Sequence, residues 1–137
     1  MDKPRWYLDR DTATPLYYAA LCGFFDLVEH LVKKSPGHVN TLGGQHDYPL
    51  SAALYKEHTQ VANLLLQHGA SIDGRGTYGR TSLHHATTRF NETVLSAVQF
   101  LLERGADPNS QQLDLRTPLH LAAAWGNNKV AHIVLQL

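Results

Sequence analysis

Four segments of this chain are versions of one pattern: ATPLYYAALCG from Ala13, DYPLSAALYKE from Asp47, RTSLHHATTRF from Arg80 and RTPLHLAAAWG from Arg116. The Thr or Tyr that opens each motif stands at 14, 48, 81 and 117, so the spacings are 34, 33 and 36 residues. A period of this length constrains the fold more than any other feature. A unit of about 33 residues cannot bury its apolar face alone, so the copies must stack on one another.

Inside a copy the apolar positions follow helical spacing. Leu119, Leu121, Ala122 and Ala123 form one short run, and Val130, Ile133, Val134 and Leu137 form a second. The second run recurs as Leu27, Val28, Leu31, Val32, as Val61, Leu64, Leu65, and as Val94, Val98, Leu101, Leu102. Each copy is therefore expected to be a pair of short antiparallel helices, with the second runs stacked into a continuous core. The segments between copies, such as NTLGGQHD and DGRGTYGR, are rich in turn formers and lack helical periodicity. They predict tight projecting turns, and the fold class predicted is all-α.

Local chemistry agrees with this division. Thr117 is placed to cap a first helix, Pro118 to occupy its first position, and His120 to bond back toward the cap, while Leu119 enters the core. Gly69 and Gly105 follow apolar runs where a left-handed residue would end the second helix. In the second copy Tyr48 replaces the capping Thr and Ser51 replaces the His, which weakens that helix start by about 1 kcal/mol unless Asp47 caps it instead. Three extra residues around Arg89-Phe90-Asn91 separate the helices of the third copy, with Asn91 as a cap for the second.

The motif Thr117-Pro118-Leu119-His120-Leu121-Ala122, the variant Thr81-Ser82-Leu83-His84-His85-Ala86, and the run Leu101-Leu102-Glu103-Arg104-Gly105-Ala106-Asp107-Pro108-Asn109 resemble the ankyrin repeat. DTATPLYYAALCGFFDLVEHLVKK with its HVN continuation further resembles ankyrin arrays on large fungal signalling proteins. The resemblance implies an ankyrin-repeat solenoid of stacked helix-turn-helix units with projecting turns. Its expected divisions are an extension over 1–8 and repeats over 9–42, 43–75, 76–111 with the insertion, and a truncated 112–137.

Other functional classes are disfavoured. GRGTYG at residues 74–79 spells G-x-G-x-x-G, but it follows the helical pattern VANLLLQHGASID instead of a buried strand, so it reads as a projecting turn and implies no nucleotide cofactor. Nine histidines invite a metal reading, yet His84 and His120 share one repeat position and should lie about 10 Å apart, too far to share a zinc ion. No metal, cofactor or catalytic residue is expected; Cys22 has no base implied beside it. Twelve Lys and Arg against twelve Asp and Glu give no field that would gather nucleic acid or an anionic membrane. One cysteine and no apolar leader predict an intracellular setting, cytoplasmic or nuclear.

What remains is the surface that stacking leaves free. The resemblance implies that the turn tips and the exposed side of each first helix line a concave groove for a protein partner. The residues it selects are Tyr55, Lys56, Tyr78, Arg80, Arg89, Asp114, Arg116 and Trp125, a set rich in the Tyr, Trp and Arg that anchor interfaces. Aspartates among the arginines suggest a partner without strong charge. A second reading is a structural or regulatory spacer of a larger protein, with intramolecular contacts only. The apolar pattern of NNKVAHIVLQL leaves the last helix without cover, which predicts self-association or a longer array.

Overall fold

The computed structural model describes residues 13–88 and 93–136. Among them are eight α-helices and no β-strand. The chain divides into two compact units, Met1–Ser71 and Ile72–Leu137.

In the first unit α1 (Pro15–Cys22) pairs with α2 (Phe25–Lys34), and α3 (Pro49–Tyr55) with α4 (Thr59–Gln67). The first helices pack on each other, as do the second. Ala19, Ala20, Ala52 and Ala53 are fully buried, and these small side chains let helices approach closely. Leu16, Val28, Val32, Leu50, Val61 and Leu65 fill the core between them. Each buried Leu or Val stabilises by about 1.5–3 kcal/mol. Thr14 Oγ1 accepts from the Tyr17 N–H at 3.3 Å, and Pro15 takes the first position, where its missing N–H costs nothing. The start of α3 at Tyr48 has no such side-chain bond, as expected from the lost Thr.

The second unit repeats the scheme with α5 (Ser82–Thr87), α6 (Thr93–Glu103), α7 (Pro118–Ala124) and α8 (Asn128–Leu135). Here α5 packs on α7 and α6 on α8 around Leu83, Val94, Val98, Leu101, Leu121 and Val130. Thr81 and Thr117 form reciprocal caps with His84 and His120. Asn127 Oδ1 accepts from the Val130 N–H at 3.2 Å and caps α8. Gly69 and Gly105 stand at φ 93° and 87°, so both second helices end in the left-handed conformation expected.

The loops use one tying device in each unit. In the first, the Asn40 carboxamide donates to Gly69 O at 2.9 Å and accepts from the Ser71 N–H at 2.8 Å. In the second, Asp73 Oδ1 accepts from the Asp107 N–H at 3.0 Å.

Several core expectations need correction, and Leu31, Leu102 and Ile133 are only half-buried. Leu27 is 45 % exposed, because the buried stripe of α2 runs through Val28 and Val32, one turn apart, and Leu27 lies about 100° around the helix from it. Leu119 is only half-buried although its counterparts Leu16, Leu50 and Leu83 are buried. Among the described residues α7 has α5 on one flank and no further first helix on the other. Asn91 and the other residues of the insertion, 89–92, lie outside the described residues, as do residues 1–12 and Leu137.

Glu57 stores removable strain. The position nine residues after each motif start is Gly23 in the first copy and Gly126 in the fourth, with φ 73° and 69°, but Glu57 occupies it in the second with φ 62°. The left-handed conformation costs a side-chain-bearing residue about 1–2 kcal/mol, partly offset in the comparison by the greater unfolded freedom of glycine. Glu57 is exposed, so Glu57→Gly should raise stability by about 0.5–1 kcal/mol. Urea midpoints of the two proteins would show it; an unchanged or lower midpoint would contradict the strain.

Candidate protein-binding surface

The free surface of the first unit centres on the end of α3. Tyr55 is exposed there, its ring stacked on His46 with centroids 4.0 Å apart and planes 26° from parallel. Lys56 Nζ lies 5.6 Å from the same ring. His46 is held by its own N–H, which donates to Tyr17 Oη at 3.0 Å. Burial pushes the Tyr17 hydroxyl above the usual tyrosine range, so it stays protonated. Tyr17 therefore positions the aromatic pair without belonging to it.

In the second unit two turns, 75–80 and 111–116, are laced together. The Leu113 N–H donates to Tyr78 O at 2.9 Å, and Arg75 Nη1 donates to Gly79 O at 3.3 Å and to Gln111 O. Arg80 Nε donates to Gln112 Oε1 at 3.1 Å, and Gln112 Nε2 donates to Asp114 Oδ1 at 2.7 Å. Asp114 also accepts from the Arg116 N–H at 3.1 Å and lies 3.4 Å from Arg116 Nε. The Gln112 amide first, then the Arg116 N–H and the arginine charges, hold the Asp114 carboxyl below its ordinary range. Arg80 Cζ sits 5.7 Å from the ring of Tyr78, which is 58 % exposed.

Thus the structure brings Tyr78, Arg80, Asp114 and Arg116 together, and Tyr55 with Lys56. Trp125 is at the C-terminal end of α7, 51 % exposed. Arg89 lies outside the described residues. Sequence reasoning passed over Gln112 and Arg75. Gln112 is buried and bridges two turns, a contact made at a separation of 32 residues that no local spacing signals.

GRGTYG is a tight turn. The Gly76 N–H donates to Arg80 O at 2.8 Å and Thr77–Gly79 forms one 3₁₀ turn, preceded by α4 and by no strand.

The family model for ankyrin repeats in three copies matches residues 16–112, well over half of the chain, and a second model for many copies matches residues 91–135. The chain belongs to the ankyrin repeat family. This ankyrin array is 33 % identical over 93 residues to mouse ankyrin repeat and SAM domain-containing protein 6, covering 67 % of the array and 10 % of that protein. It is 30 % identical over 121 residues to the poly [ADP-ribose] polymerase tankyrase of Caenorhabditis elegans, covering 82 % and 5 %. To mouse inversin it is 29 % identical over 130 residues, covering 92 % and 12 %. The array thus spans a small fraction of the length of these relatives. Ankyrin repeats are generally protein–protein interaction modules and generally non-catalytic. Among the described residues no helix is long and apolar enough to cross a membrane.

Proposed function

We propose that this array is a non-catalytic protein-binding module that holds its partner on turn tips and first-helix ends. The contacts of the first unit are Tyr55 and Lys56; those of the second are Tyr78, Arg80, Asp114, Arg116 and Trp125, with Arg89 in the same register. The observation that carries this reading is the exposure of aromatic rings fixed by neighbours: Tyr55 on His46, and Tyr78 beside Arg80. A fixed ring loses little freedom on binding, so its contact area converts well into affinity. The neutral overall charge supports a protein partner over a polyanion.

The relatives carry this region as a small share of much longer chains, which favours a second reading in which the array contacts another part of its own parent protein. One experiment separates them. Immobilised array is exposed to lysate of its source cells alongside a Tyr78→Ala, Trp125→Ala variant of equal helicity by circular dichroism. Loss of at least about tenfold of a captured protein in the variant is expected, since anchor truncations cost about 1–3 kcal/mol each. Equal capture by both proteins would remove these residues from the binding face, and capture by neither would favour the intramolecular reading.

A further inference from the structure

The paired turns of the second unit carry more positive than negative charge. Residues 75–80 and 111–116 contain Arg75, Arg80 and Arg116 but a single carboxylate, Asp114, in a chain whose charges balance as a whole. That carboxylate is occupied: Oδ1 takes both the Gln112 amide and the Arg116 N–H, and Oδ2 faces Arg116 Nε. Arg80 spends only its Nε, on the neutral Gln112 carboxamide oxygen. Gln112 and Asp114 each engage the Nε of one guanidinium, that of Arg80 and that of Arg116, and Arg116 is exposed. An oriented guanidinium fork matches a carboxylate in two-point geometry.

The rim is apolar. Leu113 and Leu115 are 79 % and 67 % exposed, on either side of Asp114. Leu115 has φ 71°, although the equivalent position in the preceding turn is Gly79 with φ 73°. A leucine there costs about 1–2 kcal/mol of backbone strain and gains no burial in return. Its conformation is locked by the Leu115 N–H on Gln112 O and the Gln112 N–H on Arg116 O, both at 2.9 Å. An exposed, strained apolar residue beside an oriented cation is explained by a ligand that uses both.

We propose that this double turn, as part of the protein-binding surface argued above and resting on that reading, recognises an Asp or Glu of a partner protein that has a leucine-sized apolar residue within two positions of it. The carboxylate seats on Arg80 and Arg116, and the apolar side chain packs on Leu113, Leu115 and the Tyr78 ring. A nucleic acid is the poorer fit, since its affinity comes from many phosphate contacts and the two leucines would face its backbone.

The test uses phage-displayed random 12-residue peptides selected on the intact array and on an Arg80→Glu, Arg116→Glu variant. The wild type should enrich peptides with Asp or Glu within two positions of Leu, Ile, Met or Phe. Those peptides, synthesised, should bind the variant at least about tenfold more weakly, and the variant should enrich Lys- or Arg-containing peptides instead. An Arg80→Gln, Arg116→Gln variant should give the same loss without reversed charge, with unchanged circular dichroism as the folding control.

Wild-type peptides with no acidic preference would overturn the inference. If such peptides nevertheless lost affinity on Tyr55→Ala or Trp125→Ala, the wider surface would stand without the carboxylate site; indifference to all of these changes would sink both. No enrichment over bare support, or tight binding of a mixed-sequence 20-nucleotide DNA that depends on Arg80, would also overturn it.

Discussion

Gly44→Ala should lower the stability of the array by about 3 kcal/mol and its Tm by about 10 °C. Two costs add. Gly44 has φ 77°, where a Cβ is disfavoured by about 1–2 kcal/mol. A Cβ built there would also lie 2.4–2.8 Å from three ring carbons of Tyr17. That ring is buried and held by the His46 N–H on its hydroxyl, so it has nowhere to move, and overpacking of this kind costs about 1–3 kcal/mol. Gly37 is the control, because its Cβ would meet nothing within 4 Å and its φ is not positive. Gly37→Ala should stay within about 0.5 kcal/mol of wild type. Equal melting temperatures for Gly44→Ala and wild type would mean that the second turn does not rest on the Tyr17 ring as described. In a Tyr17→Ala background the Gly44 substitution should cost less, since only the backbone strain remains.

The contact between Tyr17 and the second turn also shows where sequence reading stops. The repeat period, the all-helical class, the Thr caps and the glycine helix ends were all local patterns, and the structure has each of them. The role of Tyr17 was not local. It stands at the motif position that His84 and His120 occupy, and its hydroxyl reaches the next turn just as His84 Nε2 reaches Arg116 O at 3.0 Å. Two different side chains do one job, and only the position reveals it.

Leu27 failed for the complementary reason. Helical spacing identifies which residues share a face, but burial depends on what packs against that face, and the α2 stripe is centred one residue further on. The proposed surface is a set of repeat positions; the connections through Gln112 and the strain at Leu115 depend on how two turns meet, which composition and spacing do not encode.

His84→Leu should cost about 3 kcal/mol, while His120→Leu should cost about 1 kcal/mol or less, although both histidines cap a helix in the same way. His84 is fully buried and His120 is exposed. The His84 ring meets the Thr81 N–H at 3.1 Å and Thr81 Oγ1 at 2.9 Å through Nδ1, and Arg116 O through Nε2. A leucine would leave the buried Thr81 N–H without its partner, at about 1–3 kcal/mol, and would take from the Arg116 carbonyl one of its two bonds, the Gln112 N–H remaining. At His120 water can replace the ring.

The same geometry makes the fold acid-sensitive. The Thr81 N–H points at Nδ1, so the neutral ring carries its proton on Nε2, and burial lowers the His84 pKa below 6.5 despite the opposing pull of Arg116 O. As pH falls through about 6.5 the unfolded chain takes up a proton that the folded chain refuses, so stability decreases until the lower folded-state value is passed. Urea midpoints at about pH 7.5 and about pH 5 should therefore differ more for wild type than for His84→Leu, over a range lying above most carboxylate titration. An equal drop in both proteins would place the acid sensitivity elsewhere. A drop confined to wild type would assign it to the ring that pins the turn carrying Asp114 and Arg116.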